Sequence, residues 1–161
     1  MPADRRRLAY GLALALPAAL LGGALVAEFG FGLPPCEMCW WQRYPHIAAL
    51  VLAGISWPAR SDALVRLAAA AIALSGLIGA YHAGVEYGWW HGLTRCASGS
   101  LAGDPLDAIM SAPVVRCDVA PWSLLGISLA GWNFLVSLAG AAAILAWLRP
   151  PAEAGGKAVQ A

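Results

Sequence analysis

Residues 35–43 read PCEMCWWQR and place a Cys-x-x-Cys pair, Cys36 and Cys39, directly before an apolar run. An arginine follows the second cysteine by four positions. The chain contains two further cysteines, Cys96 and Cys117. The rest of the sequence indicates a scaffold that holds these four sulfurs at one face of a membrane.

The composition indicates a chain that lies in lipid. Of the 161 residues, 60% are hydrophobic and 12% are charged, whereas soluble domains carry about 25% charged residues. The formal net charge of +1, together with the lack of a basic stripe with interleaved aromatic residues, argues against a nucleic-acid partner. We therefore expect the lipid bilayer to be the main partner of the chain.

Four apolar stretches are long enough to cross the membrane as helices, which takes ~20 residues for ~30 Å of hydrocarbon. The predicted spans are about 8–29, 40–59, 67–85 and 124–148. They predict an all-α membrane protein, a four-transmembrane-helix bundle that forms a single domain over residues 1–149. Residues 150–161 are rich in Ala and Gly and are expected to form a flexible cytoplasmic tail. The first span is longer than the ~7–15-residue apolar core of a signal peptide, so we expect it to be retained.

Basic residues predict the orientation, because short loops rich in Lys and Arg stay in the cytoplasm. Most of them lie near the termini or between the second and third spans: Arg5, Arg6, Arg7, Arg60, Arg66, Arg149 and Lys157. Both termini are therefore expected in the cytoplasm. The loops at about 30–39 and 86–121, which contain all four cysteines, would then face outward. In a bacterium this is the periplasmic side of the inner membrane, where disulfides persist.

Small residues recur every four positions along two of the predicted spans. Such stripes allow helix backbones to approach closely, although Ala and Gly are also simply common in this chain. The stripes are Gly11, Ala15, Ala19, Gly23 and Ala27 on the first span, and Gly76, Ala80 and Gly84 on the third.

The Cys36–Cys39 pair has several possible uses. A structural zinc site usually needs a second close pair or nearby histidines, and no histidine lies at ligand spacing in this sequence. A haem site would need a histidine directly after Cys39, where Trp40 stands. A passive cross-link over so short a loop constrains an unfolded chain little. Thiol–disulfide exchange, which uses a strained and accessible disulfide, is therefore the leading interpretation.

Other polar residues are weaker candidates for the site. Arg43 could favour a Cys39 thiolate at a helix N-terminus, or it could simply snorkel to the membrane interface. His46, His82 and Asn133 lie within apolar spans. Each could be functional, or could bridge two helices with a hydrogen bond.

The four cysteines and their flanking residues resemble disulfide bond formation protein B (DsbB), a family of bacterial inner-membrane thiol oxidases. The resemblance extends from about Leu8 to Leu148. It rests on these motifs: PCxxC at 35–39 with QRYPH at 42–46, YHAGVE at 81–86 with WW at 89–90 before Cys96, RCD at 116–118, LGIS at 125–128 and WN at 132–133.

This resemblance implies a function and a path for electrons. A periplasmic DsbA-like dithiol oxidase would attack the Cys96–Cys117 disulfide and form a mixed disulfide with Cys96. Cys117 would then engage Cys36, and Cys39 would deliver electrons to a membrane quinone, ubiquinone or menaquinone, beside Arg43. No metal is expected. The alternative from another class is a non-enzymatic four-helix membrane protein whose cysteines are structural or bind zinc.

Overall fold

The structure is a computed structural model that describes residues 3–94 and 115–149. Its main elements are four long helices. Helix α1 spans Ala3–Leu25 and continues into a π-helical segment, Val26–Gly30. Helices α2, α3 and α4 span Glu37–Ala59, Asp62–Glu86 and Leu129–Trp147. Two short strands, β1 (Ser123–Leu124) and β2 (Ile127–Ser128), pair in antiparallel fashion before α4.

Side-chain caps explain where three of the helices begin. Ser61 and Ser128 precede α3 and α4, and their hydroxyl oxygens accept hydrogen bonds from Leu64 N and Gly131 N. Such caps satisfy backbone N–H groups that have no partner within the helix. Cys36 takes the same position before α2, where its sulfur accepts from Cys39 N. The first cysteine of the pair is thus also part of the helix start.

The helices pack so that their ends fall into two groups. Helix α3 packs mainly against α2 and α4, and α1 packs against α2 and α4. At one end, Arg6 Nε lies 2.8 Å from Asp62 Oδ1, which joins the start of α1 to the start of α3. Arg66 Nη2 donates to Leu148 O at 2.8 Å and joins α4 to the same end. Cys36 and Cys117 lie at the opposite end, as the predicted topology requires.

Three helices are long and apolar enough to cross a membrane: Ala3–Gly30, Asp62–Glu86 and Leu129–Trp147. The search of the residues with described structure does not place α2 among them. Helix α2 is 23 residues long, but it contains Gln42, Arg43 and His46, all of which are buried in the bundle. The predicted second span is therefore a helix that places polar side chains toward its neighbours.

The start of the last span differs from the prediction. Span 124–148 was expected to be continuous, but α4 begins at Leu129. The intervening turn contains Leu125 and Gly126, both with positive φ (54° and 77°). A left-handed backbone cannot continue a right-handed helix, so β1, this turn and β2 precede the helix. The predicted tail at 150–161 lies outside the described residues.

The predicted packing stripe on α1 is wrong. Its buried face includes Ala9, Ala13 and Pro17, whereas Ala15 and Ala19 are exposed. A Cβ placed on Gly11 or Gly23 would meet nothing within 4 Å. A spacing of four residues describes both faces equally well, and the pattern alone does not say which face packs.

The stripe on α3 is partly confirmed. A Cβ on Gly76 would lie 3.0 Å from Ser137 Cβ, so α3 and α4 are in close contact there. The closest approach is at Gly79, where a Cβ would lie 2.8 Å from the backbone oxygen of Ala130. Ala80, the residue predicted from the pattern, is only half-buried. Gly84 contacts the indole of Trp90 rather than another helix.

Replacing Gly79 by Ala should separate α3 from α4, because a backbone oxygen cannot move aside as a side chain can. We expect the protein to lose about 1–3 kcal/mol of stability, measured as a lower Tm of the detergent-solubilised protein. Gly54→Ala is the matched control, since a Cβ there would meet nothing within 4 Å. An unchanged Tm for Gly79→Ala would contradict the close contact.

Candidate active site

The Cys36–Cys39 dithiol occupies the first turn of α2. Both residues are free thiols, and their sulfurs lie 3.1 Å apart. Cys36 is 5% exposed, while Cys39 is half-buried. Positions three apart in a helix share a face, so the capping position of Cys36 brings the two sulfurs together. The pair is therefore arranged to form a disulfide with little change in the backbone.

The two thiols differ in acidity. Both precede the apolar part of α2, which begins at Trp40. The Cys36 thiol donates a hydrogen bond to the Cys39 sulfur, which raises the pKa of Cys36 and lowers the pKa of Cys39. Burial also raises the pKa of Cys36. The positive charge of Arg43 contributes to lowering the pKa of Cys39, although burial and Glu86 oppose it. Cys39 is therefore the more acidic thiol of the pair.

Cys117 lies beside this dithiol in the structure. It is disulfide-bonded, and its side chain is fully buried. Cys36, Met38, Val85 and Cys117 form one buried cluster. Cys96, which was assigned to this second pair, lies outside the described residues. The structure thus places a disulfide-bonded cysteine against a reduced dithiol.

His82 connects the dithiol to the interior of the bundle. Its Nε2 lies 3.6 Å from Cys36 Sγ and 3.7 Å from Glu86 Oε1. Its Nδ1 lies 2.9 Å from Gln42 Nε2, which acts as the donor. Since Nδ1 accepts this hydrogen bond, the proton of the neutral ring is on Nε2 and faces Cys36 and Glu86. The hydrogen bond from Gln42 joins α2 to α3, so His82 bridges two helices, and its Nε2 also lies beside the dithiol.

A hydrogen-bond network around Asn133 holds three helices together. Asn133 Nδ2 donates to Gln42 Oε1 at 2.9 Å, and Asn133 Oδ1 accepts from His46 Nε2 at 2.9 Å. Ser75 Oγ donates to Gln42 O at 2.7 Å. These contacts join α2, α3 and α4, so the bridging alternative is confirmed for His46 and Asn133. Ser75 belongs to this network, although the sequence analysis did not single it out.

Arg43 is paired with a residue of α1 that the sequence analysis did not place in the site. Its Nη1 lies 2.6 Å from Glu28 Oε2, and the two side chains are 10% and 20% exposed. The guanidinium also lies 4.9 Å from the ring centroid of Trp40. Glu28 belongs to the π-helical segment, a feature often found at functional sites because it redirects side chains.

Two cavities meet at the dithiol. The first, of about 270 Å³, extends along α1 past Ala19, Gly23 and Ala27. At its polar end lie Cys39, Gln42, Arg43, His46, His82 and Glu86. The predicted stripe of small residues thus borders open space, and its small side chains leave room there.

The second cavity, of about 430 Å³, lies under the loop that contains Cys117. It is bordered by Cys36 and Arg116, and it shares Cys39, His82 and Glu86 with the first cavity. Cys39 is therefore accessible from two directions, one along α1 and one under the loop.

Comparison with known proteins agrees with this arrangement. The family model described as Disulfide bond formation protein DsbB matches residues 6–147. The chain belongs to the DsbB family. It is a membrane protein of disulfide bond formation, with the role of a disulfide oxidoreductase.

Curated relatives in the DsbB family carry the name Disulfide bond formation protein B. The relative from Azoarcus sp. is 33% identical over 92% of this chain and 94% of its own length. The relative from Polaromonas sp. is 30% identical over 75% of this chain and 77% of its own length. The relative from Aromatoleum aromaticum is 32% identical over 81% of this chain and 84% of its own length. No solved structure matches the chain significantly.

The unequal acidity of the two thiols can be tested by alkylation. With Cys96 and Cys117 replaced by Ser, reduced Cys39 should react with iodoacetamide at lower pH than Cys36, because a lowered pKa keeps the thiolate populated as pH falls. Mass spectrometry of peptides after timed quenching gives the two pH profiles.

A pair of variants tests the cause of this difference. Cys36→Ala removes the donor and should shift the Cys39 profile to higher pH, while Cys36→Ser keeps a hydroxyl donor and should shift it less. Indistinguishable profiles for Cys36 and Cys39 in the otherwise native dithiol would contradict the assignment of the thiolate.

Proposed function

We propose that this DsbB-family chain reoxidises a periplasmic DsbA-like dithiol oxidase and passes the electrons to a membrane quinone. One observation carries the proposal. The half-buried Cys39 borders an apolar cavity along α1 and also a cavity under the Cys117 loop. A relay between a protein partner outside the membrane and an acceptor within it needs this double access.

The first half of the reaction is disulfide exchange. A thiolate of the reduced partner attacks the Cys96–Cys117 disulfide at Cys96, and Cys117 leaves as a thiolate. The partner's second thiol resolves the mixed disulfide, so the partner gains one disulfide and Cys96 leaves as a thiol. Cys117 packs in the same buried cluster as Cys36, which supports exchange between these two sulfurs. The Cys117 thiolate then attacks the Cys36–Cys39 disulfide at Cys36 and releases Cys39 as a thiolate. The Cys96 thiol, once deprotonated, attacks Cys117 of this inter-loop disulfide, which restores Cys96–Cys117 and leaves Cys36 as a thiol.

The second half of the reaction oxidises the Cys36–Cys39 dithiol. A quinone supplies the acceptor chemistry, since it takes up two electrons and two protons. The Cys39 thiolate is the sulfur that borders the apolar cavity and faces the acceptor. Cys36, 3.1 Å away, closes the new disulfide. The Cys36 thiol and the Cys39 thiolate together give up two electrons and one proton, and the second proton that the quinone takes up comes from solvent. DsbA-like oxidases have reduction potentials of about −120 mV, so the acceptor must be strongly oxidising.

The lining of the first cavity suits such a ring. Most of the wall along α1 is apolar, and the polar groups gather at one end, which is the usual composition of a small-molecule pocket. His46 Nδ1 is buried at this end and has no hydrogen-bond partner among the described residues. Because His46 Nε2 donates to Asn133, Nδ1 carries a lone pair. It is placed to accept a hydrogen bond from a hydroxyl of the reduced ring.

Arg43 would stabilise negative charge at the same end of the cavity. A fixed cation placed where charge develops lowers the barrier without having to reorganise. Here its charge is shared between the Cys39 sulfur and Glu28, with which it forms an ion pair. Glu28 therefore holds the guanidinium in place and also reduces its net effect.

The fourth membrane crossing and the orientation belong to this proposal. Helix α2 exposes an apolar stripe, Ile47, Val51 and Ile55, at a spacing that follows one helix face. Exposed aromatic residues cluster near the dithiol end, as expected at a membrane interface: Trp40, Trp41, Tyr44, Trp89, Trp90 and Trp122. We infer that all four helices cross the inner membrane, with the cysteine loops in the periplasm and both termini in the cytoplasm.

The deciding experiment combines the purified protein with a reduced DsbA-like protein and a short-chain ubiquinone. We expect the quinone absorbance to fall in step with partner oxidation. Cys39→Ser should abolish quinone reduction and limit partner oxidation to the one equivalent that the Cys96–Cys117 disulfide supplies. Cys117→Ser should lose partner oxidation but still allow one turnover of quinone by the Cys36–Cys39 dithiol. Partner oxidation without consumption of ubiquinone or menaquinone would refute the quinone step.

A double-mutant cycle separates the chemical role of Arg43 from its structural role. Arg43→Ala leaves the Glu28 carboxylate without its cation, so loss of activity could reflect misfolding alone. Glu28→Ala with Arg43→Ala removes both charges and should restore the Tm. If Arg43 acts on the acceptor, the KM for ubiquinone should remain raised about tenfold or more in the double variant. A restored KM would limit Arg43 to a structural role.

A further inference from the structure

The dithiol is part of a larger set of metal-binding side chains. The ligand atoms of Cys36, Cys39 and His82 all lie within 4.8 Å of one another. Glu86 lies one turn beyond His82 on α3, and its Oε1 is 3.7 Å from His82 Nε2. The other carboxylate oxygen, Oε2, is buried and makes no hydrogen bond to the described part of the chain. All four side chains border the cavity under the Cys117 loop.

One of the separations within the Cys36, Cys39 and His82 group is that of a tetrahedral zinc site, and Glu86 would approach it as a fourth ligand. Bonds of ~2.3 Å to sulfur and ~2.0–2.2 Å to nitrogen or oxygen, at tetrahedral angles, place sulfur and nitrogen ~3.6 Å apart. The distance from Cys36 Sγ to His82 Nε2 is 3.6 Å. The same geometry requires ~3.4 Å between nitrogen and oxygen and ~3.8 Å between two sulfurs. The corresponding distances are 3.7 Å and 3.1 Å, so metal binding would require the two sulfurs to move apart and the Glu86 carboxylate to move closer.

We propose that the reduced dithiol, together with His82 and Glu86, binds a thiophilic divalent cation such as Zn²⁺. The sequence analysis kept zinc binding by the cysteines as an alternative but found no histidine at ligand spacing, because 46 positions separate His82 from Cys36. Thiolate and imidazole donors favour zinc over hard cations such as Mg²⁺. Binding is not a redox step: the cation binds both sulfurs as thiolates, and each proton that a sulfur still carries is released.

His82 must change its tautomer to bind the cation. A metal ligand uses the lone pair of Nε2, so the proton must move to Nδ1 and be accepted by a neighbour. The Gln42 amide now presents its nitrogen to Nδ1 and would have to turn to present its oxygen. A carboxylate at position 42 would accept this proton without turning, and it would also make the imidazole more basic. Gln42→Glu should therefore strengthen binding.

The site would be controlled by the oxidation state of the protein. Formation of the Cys36–Cys39 disulfide removes both thiolates, so only the reduced chain can hold the cation. A bound cation in turn occupies the two sulfurs and prevents them from being oxidised. Zn²⁺ would then act as a reversible inhibitor that captures the reduced form. The metal-binding step itself requires neither the protein partner nor the quinone.

Cobalt is the spectroscopic probe for this proposal. The full-length protein in detergent, with Cys96 and Cys117 replaced by Ser, would be reduced, freed of reductant and titrated with Co²⁺. We expect one ion per chain, a thiolate-to-cobalt absorption band, the strong visible bands of a tetrahedral ion, and displacement by Zn²⁺. His82→Gln should weaken binding at least ~10-fold, and Gln42→Glu should strengthen it.

His91→Gln is the matched control, because His91 is exposed in the loop after α3, and it should bind Co²⁺ as the parent does. Oxidation of the same sample to the disulfide should abolish binding, and this comparison does not depend on whether any variant folds. Equal affinities in the parent and His82→Gln, or a spectrum of an octahedral ion, would overturn the proposal. Because neither quinone nor partner is present, failure here would leave the proposed oxidase function untouched.

Discussion

Polar atoms inside this bundle must form hydrogen bonds with other protein atoms. The Gln42 amide forms three such bonds and joins three helices. Its oxygen accepts from Asn133 of α4, and its nitrogen donates to His82 of α3 and to Met38 O in its own helix. Inside an apolar bundle no water replaces a lost partner, so each group restricts the orientation of the next. The orientation of His82 beneath Cys36 is therefore determined by contacts that extend across the bundle to α4.

The same constraint explains why α2 differs from its neighbours. Helix α2 exposes apolar residues outward and places Gln42, Arg43 and His46 inward. These polar residues lower its mean hydropathy, so composition alone does not identify it as a membrane span. Polar groups within helical membrane proteins usually face the bundle interior, and here all three are buried. Because α2 carries these polar side chains, its hydropathy is lower than that of the three other helices.

Local patterns predicted that four helices form and that Cys36 and Cys39 lie close together, because both depend on neighbours in sequence. They were insufficient where a contact joins distant positions. The sequence shows Glu28 as a charge near a helix end and His82 as a polar residue within an apolar span. Nothing in a single chain reports that Glu28 contacts Arg43 or that His82 contacts Cys36. The stripe on α1 failed for a related reason. The spacing of small residues identifies one face of the helix, but it does not tell whether another helix or a cavity lies against that face. Cys96 and the tail at 150–161 lie outside the described residues.

The capping role of Cys36 links the start of α2 to the redox cycle. Its sulfur accepts the hydrogen bond of Cys39 N at 3.3 Å, and a cap of this kind helps to hold the first helical turn. The same atom must change its bonding partner whenever the dithiol is oxidised or exchanges with another cysteine. Oxidation of the pair would therefore alter the cap of α2 and, with it, the stability of the first helical turn. Pro34 and Pro35 lie directly before Cys36, and their fixed φ angles limit movement of the backbone there.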